Sequence, residues 1–420
     1  MNVSKIHHSF TWTERDVTQR QKALRSFELF PHNKYDLMRE RIYQLFSECL
    51  QRNGYNATDL RQRFLAQGAF GSVFRIEKSN KTYACKIITS FGNRIRSEKK
   101  NFNQIYSRFK NEISIMRSVQ NHPNIIGLRD YFVEKISTKS IESIRSGAYY
   151  ENYIDDNFVE KHNGVDGDKE DAEEEMGPFR NYFIVMEYAN SQSLDRYLKR
   201  YRVLNETIVK KIFTNVCDAL TFLHRKRIAH RDIKISNLLL HRSVSDEHRS
   251  NDVWNNNEFN FVVKLCDFGL SVKINSEFED SLKPIGTYMY MAPEILRSYY
   301  FYNLKQIDMI AMYCPFKGDI WALGVTVFLS LHGFYPMKTI SGGHSRSKKL
   351  KSLSEFFHID EPFKSESEYL RVYSERIRKN LNQPNPRLSE SSRNLLRSTL
   401  AIDPRYRSDI EKIRALPFFN

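Results

Sequence analysis

The stretch IAHRDIKISNLLL, Ile228–Leu240, sets a short polar run between two apolar segments. Asp232, Lys234 and Asn237 stand close together in it, each with a different chemical competence. A carboxylate accepts a hydroxyl proton, an ammonium offsets charge on a phosphoryl group in transit, and an amide oxygen binds a hard cation. Those roles need proximity, and a single loop supplies it. Downstream, KLCDFGLS (Lys264–Ser271) adds Asp267, a second oxygen ligand, on a tight turn that Gly269 is expected to permit.

Upstream, FLAQGAFGSVFRIEKSNKTYACKI (Phe64–Ile87) alternates apolar and polar residues as paired strands do, with glycines in the turn. Gly68 and Gly71 let backbone N–H groups approach an anion, because no side chain blocks the way. A purely structural glycine hairpin has the same pattern. Lys86, one strand later, reaches phosphate oxygens if the turn folds over the same space. Glu112, in NEISIM (Asn111–Met116), shares a helix face with Met116 and is the candidate partner for that lysine. Any surface Lys and Glu can pair, so each signal gains weight only beside the others.

At 420 residues and 49.8 kDa the chain is long enough for two lobes plus extensions. Its 40% hydrophobic and 13% aromatic residues are those of a globular protein. Lys and Arg outnumber Asp and Glu by 65 to 50, and the net charge of +15 favours anionic partners without selecting one. Cys49, Cys85, Cys217, Cys266 and Cys314 form no paired C-x-x-C, so neither a disulfide framework nor a zinc site is expected. The N-terminus lacks a signal-peptide core and no apolar run has bilayer-spanning length, which points to an intracellular, non-membrane protein of the cytoplasm and/or nucleus. His7 and His8 read as solvated tail residues.

In the first 59 residues, TERDVTQRQKALRSFELF and KYDLMRERIYQLFSECLQR carry apolar residues at helical spacing around Pro31. Two helices are expected, either packed on the domain that follows or serving a regulatory partner. Strand pattern fills Leu65–Ile88, a helix is read over Phe102–Val119, and strand returns after Pro123 and again at NYFIVMEYA. Between them the acidic tract VDGDKEDAEEEMGP reads as an insertion, another possible partner site. Further insertions are HRSVSDEHRSNDVWNNNEF and a basic region around GGHSRSKKLKSLSE, read as a solvated loop or an import signal. No internal repeat is present.

The glycine loop, YACK, HRDIKISN, DFG and APE, followed by GDIWALGV, occur in an order that resembles the eukaryotic-type protein kinases from about Phe64 onward. The resemblance implies an α+β, bilobal fold with a small β-rich N-lobe and a larger, mainly helical C-lobe. It divides the chain into an extension at 1–59, an N-lobe at 60–189 with an insertion near 135–179, and a C-lobe at 190–420 with insertions near 241–259 and 338–365. ATP and Mg²⁺ are the implied cofactors and proteins the implied substrates, with no DNA and a monomeric chain. Lys86 would touch the α- and β-phosphates and pair with Glu112. Asn237 and Asp267 would hold Mg²⁺, Asp232 would act as catalytic base, and Lys234 would contact the γ-phosphate.

By the same resemblance Leu65, Ala66, Gly68 and Gly71 cover the nucleotide, and Val73, Ala84 and Leu239 sandwich the adenine. Met186 precedes a hinge at Glu187, Tyr188 and Ala189. Met116, Leu128, His230 and Phe268 would stack as a hydrophobic spine, Glu294 and Arg407 would form a buried ion pair, and Asp319 would anchor the catalytic loop. Ala66 stands where the family has its first glycine; alanine is tolerated if that residue stays in the strand with negative φ. Lys234 and GTYMYMAPE resemble serine/threonine kinases, and GTYMYMAPE forms the shelf for a peptide's next residue. Ser193 and Ser236 stand where arginine-directed relatives place carboxylates. Arg231 implies docking of a phosphorylated activation segment, with Ser276 and Ser281 as the available serines. Two alternatives remain: a pseudokinase scaffold that binds nucleotide without turnover, and a lipid or small-molecule kinase on the same fold.

Overall fold

The computed structural model describes residues 34–68, 71–89, 98–136, 180–242, 261–274, 284–303, 313–337, 366–382 and 388–420. The expected first helix, all three insertions, Ser276 and Ser281 lie outside them, apart from boundary residues. The described residues divide into two compact units, one holding 34–113 with Leu128–Tyr188, the other Ser114–Gly127 with Ala189–Asn420.

The first unit is built on an antiparallel sheet of β1 (Phe64–Gln67), β2 (Ser72–Lys78), β3 (Lys81–Thr89), β4 (Leu128–Lys135) and β5 (Arg180–Glu187), in the order β1-β2-β3-β5-β4. The period-two alternation sends Cys85 and Ile87 of β3, and Phe183 and Val185 of β5, to one face, and Lys86 and Ile184, which are cross-strand partners, to the other. The first face is covered by α1 (Lys34–Arg52), the second of the two expected helices. Ile42, Tyr43, Phe46, Cys49 and Leu50 recur at helical spacing and are buried with Phe74, Ile76, Cys85, Ile87, Phe183 and Val185 in one apolar cluster.

α1 stops where Gly54 takes a left-handed φ of 78°. The Gly54 N–H then donates to Gln51 O at 2.9 Å and the Tyr55 N–H to Leu50 O at 2.9 Å, which satisfies two terminal carbonyls. The helix end is fastened to β4: Arg52 and Asn53 both donate to Glu134, at 3.0 and 2.7 Å, and the Tyr55 hydroxyl donates to Asp130 at 2.6 Å. α1 is therefore part of this unit's core, the first of the two roles the sequence left open for it.

In the β1–β2 turn, the Gly68 N–H donates to Gly71 O at 2.8 Å. Neither glycine has positive φ; Gly71 is required because a Cβ there would overlap the Ile87 carbonyl oxygen. Gly71→Ala is expected to cost about 1–3 kcal/mol by overpacking, read as a lower denaturation midpoint; an unchanged midpoint would contradict this close approach. Ala66 lies in β1, paired with Val73 beside an irregularity in register, and it is not among the positive-φ residues. Alanine is sterically acceptable there.

α2 (Glu98–Ser118) carries Phe109, Ile113 and Met116 as buried positions, with Val119 just past its end. The second unit contains α3 (Leu194–Tyr201), α4 (Glu206–Arg225), the pairs β6–β9 (Ile228–Ala229, Val272–Lys273) and β7–β8 (Leu238–Arg242, Phe261–Leu265), α5 (Pro293–Asn303), α6 (Pro315–His332), α7 (Glu366–Asn382), α8 (Glu390–Thr399) and α9 (Ile410–Arg414). β7 runs through His241 and Arg242, beyond the point where the sequence pattern breaks. Along α6 every residue from Gly318 to Leu331 is buried, so this helix is the centre of the unit. Together the antiparallel sheet unit and the helical unit make an α+β protein. Among the described residues, no helix is long and apolar enough to cross a membrane.

Candidate active site

The segment His230–Asn237 links β6 to β7, and each of those strands is paired with a strand that flanks Asp267. The two pairings hold both ends of the loop. Its middle is fixed by Asp319 on α6, whose carboxylate accepts the His230 and Arg231 N–H groups, each at 2.8 Å, and lies 3.0 Å from His224 Nε2. Arg231 has φ 63°, a conformation costly for a non-glycine residue and held here by that buried carboxylate. The expected anchor role of Asp319 has this geometric basis; His224 carried no signal in the sequence.

Asp232 is buried, with donors on both carboxylate oxygens. Oδ1 accepts from the Thr287 hydroxyl at 2.8 Å, and Oδ2 accepts from Lys234 Nζ at 2.6 Å and Asn237 Nδ2 at 3.2 Å. Lys234 also donates to Thr287 Oγ1 at 3.1 Å, which closes a triangle of carboxylate, ammonium and hydroxyl. Burying a carboxylate is costly unless it is paired and hydrogen-bonded, and this one is both. Thr287 lies in GTYMYMAPE, the stretch read from the sequence as the shelf for a peptide's next residue, but its bond to Asp232 was missed, since no local pattern links positions so far apart.

Asn237 uses Nδ2 for both of its bonds to Asp232, to the backbone O at 2.9 Å and to Oδ2, so its amide oxygen is the atom suited to a hard cation. The Cys266 N–H donates to Asn237 O at 3.0 Å, which ties the turn bearing Asp267 to this asparagine. One expectation needs correction: the left-handed residue in that turn is Asp267 itself, φ 68°, and not Gly269. His230 reinforces the same join. Burial lowers its pKa, and the neutral ring accepts the Asp232 N–H at Nδ1, 3.3 Å, and faces Cys266 O through Nε2, 3.2 Å, with its edge to Phe268. Arg231 Nε donates to Leu270 O at 2.7 Å.

In the sheet unit, Lys86 on β3 meets Glu112 on α2 with Nζ 2.7 and 2.9 Å from the two carboxylate oxygens. Both side chains are almost fully buried, 5% and 2% exposed, so this is not a solvated surface pair. Removing either partner of such a pair strands a buried charge, at about 3–5 kcal/mol. Ala84 and Met186 are cross-strand partners in the same sheet, Val73 is half-buried on β2, Leu65 is half-buried on β1, and Glu187 ends β5. In the helical unit Leu239 is half-buried on β7 and Ala189 is buried. Met116, Leu128, His230 and Phe268 are each buried. Arg407 forms its expected pair with Glu294, at 2.7 and 3.2 Å, beneath Trp321.

The family model described as "Protein kinase domain" matches residues 60–419. The cell cycle serine/threonine-protein kinase CDC5/MSD2 of Saccharomyces cerevisiae is 25% identical over 74% of this chain and 33% of its own length. The DNA damage response protein kinase DUN1 of the same yeast is 26% identical over 60% of the chain and 39% of its own. CBL-interacting protein kinase 16 of Oryza sativa subsp. japonica is 26% identical over 85% and 55%. The chain thus spans about a third to a half of the length of these relatives.

Proposed function

Since the chain belongs to the eukaryotic-type serine/threonine protein kinase family, we propose that it transfers the γ-phosphoryl group of Mg·ATP to serine and threonine hydroxyls of proteins. The observation that carries this reading is the Asp232 carboxylate, bound to Lys234, Thr287 and Asn237 in one buried network. In the mechanism, the substrate hydroxyl hydrogen-bonds to the Asp232 carboxylate, which orients its oxygen toward the γ-phosphorus and takes its proton. Lys234 offsets charge on the transferring phosphoryl oxygens, while Thr287 keeps the carboxylate and the ammonium in register. Lys86, held by Glu112, binds the α- and β-phosphates, and the Gly68–Gly71 turn contributes backbone N–H groups to the triphosphate.

The donor set suits a divalent cation of the hard class: one amide oxygen from Asn237 and the carboxylate of Asp267. A Mg²⁺ ion held by Asn237 and Asp267 would supply positive charge against the negative charge developing on the phosphoryl group during transfer. The scaffold reading is less well supported, because Lys86, Glu112, Asp232, Asn237 and Asp267 are all present and Ala66 sits in a strand where alanine fits. Location in the cytoplasm or nucleus belongs to the same proposal.

Phosphoamino-acid analysis of proteins labelled by the purified chain tests the reaction class. Phosphoserine and phosphothreonine are the expected products. Phosphotyrosine alone, or label in lipid and in no protein, would overturn the assignment.

A further inference from the structure

The last cross-strand pair before the β1–β2 turn is Gln67 with Ser72, and their side chains meet as well as their backbones. The Ser72 hydroxyl donates to Gln67 Oε1 at 2.8 Å, and Gln67 Nε2 donates to the carbonyl oxygens of Gly68 and Gly71, at 3.4 Å each. The neighbours dictate that orientation of the amide. Carbonyl oxygens only accept, so they face the NH₂ end, and Oε1 is left for the hydroxyl. Ser72 is 7% exposed and stands between β1 and β3, opposite Ile87, so its hydroxyl is a buried post for a side chain that is otherwise exposed. Gly71 O is thereby held twice, by the Gly68 N–H at 2.8 Å and by the Gln67 amide.

We propose that Gln67, anchored by Ser72, is a positioning residue for the phosphates of the nucleotide. The inference rests on the nucleotide-binding part of the transferase reading above. A carbonyl oxygen turned toward a phosphate repels it, whereas a backbone N–H attracts it. The peptide unit is planar, with its C=O and N–H on opposite sides. Holding the Gly68 and Gly71 carbonyls on the Gln67 amide therefore also fixes the direction in which the turn offers its donors. Glycine leaves those peptide planes free to rotate, and the side-chain bracket supplies the order that glycine lacks.

The test is equilibrium binding of Mg·ATP and of adenosine to the full chain, by calorimetry, in Gln67→Met, Ser72→Ala and the double variant. Methionine keeps the length of glutamine and removes its hydrogen bonds. Gln67→Met is expected to weaken ATP binding roughly three- to tenfold, the worth of a typical hydrogen bond, and to leave adenosine binding unchanged. Ser72→Ala should lose part of the same amount, because Gln67 remains but is no longer anchored. The double variant should bind ATP no more weakly than Gln67→Met, since the two side chains act as one unit. In the nucleotide-free chain the Gly68 N–H should exchange with solvent faster in Gln67→Met, while the denaturation midpoint stays that of the natural chain.

Unchanged ATP affinity in Gln67→Met would overturn the proposal, and so would equal losses for ATP and adenosine, which would mean a pocket reshaped as a whole. Additive losses in the double variant would show that the two residues act separately and would overturn the bracket. The readout needs no turnover. A natural chain that binds ATP, matched by Gln67→Met, sinks this inference alone, whereas the transferase reading is decided by the products that the natural chain labels.

Discussion

Asp232→Asn is expected to lower phosphoryl transfer by roughly 10²–10⁴-fold, the range that a positioned general base contributes. Asparagine nearly preserves the shape of the side chain, so the loop should keep its course between β6 and β7. What changes is the chemistry. The amide cannot take a proton from the substrate hydroxyl, and its NH₂ would confront either the Lys234 ammonium at Oδ2 or the Thr287 hydroxyl at Oδ1. Nucleotide affinity should fall much less than turnover, because Lys86 and its Glu112 partner are untouched. Comparing kcat with equilibrium ATP binding separates the two effects. Equal losses in both would mean that Asp232 acts mainly in holding the nucleotide-binding structure.

The second large effect concerns stability. Phe46→Ala is expected to destabilise the protein by about 3–5 kcal/mol, the cost of removing a buried aromatic ring. Phe46 is 4% exposed, packs edge-on to Phe74 and sits between helix and sheet. That loss is a large share of the roughly 5–15 kcal/mol that holds a typical domain folded. The consequence is sharper for a chain cut at residue 60, where the family match begins. It lacks α1, and Phe74, Ile76, Cys85, Ile87, Phe183 and Val185 lose their cover, leaving an apolar patch of the kind that drives aggregation. Chemical denaturation of Phe46→Ala, and dye binding by the shortened chain, test the two statements. A shortened chain as stable as the intact one, with no gain in dye binding, would show that α1 is an accessory.

The His230–Asn237 loop was legible because its polar residues are nearly contiguous, so spacing alone brought Asp232, Lys234 and Asn237 together. The glycine turn was legible as a hairpin. Its physical reason lies elsewhere than expected: Gly71 is dictated by the Ile87 carbonyl on the next strand, a contact absent from any local pattern. Thr287 and His224 were opaque for the same reason, since each reaches its carboxylate across a long stretch of chain. The strain on Asp267 was misplaced onto Gly269 because glycine is the usual bearer of positive φ, whereas here β7–β8 pairing and the Cys266–Asn237 hydrogen bond hold an aspartate in that conformation. α1 showed its amphipathic period, but β5 reads as one apolar run buried on both faces, so nothing in it marked Phe183 and Val185 as the side that meets α1.

The most direct test of the central claim is a time course of phosphoryl incorporation from labelled ATP with Mg²⁺ into a mixed protein substrate, with Asp232→Asn run alongside. The account predicts steady incorporation by the natural chain that is nearly abolished in the variant. Tight nucleotide binding with no incorporation above the variant's level would contradict it and make the chain a scaffold.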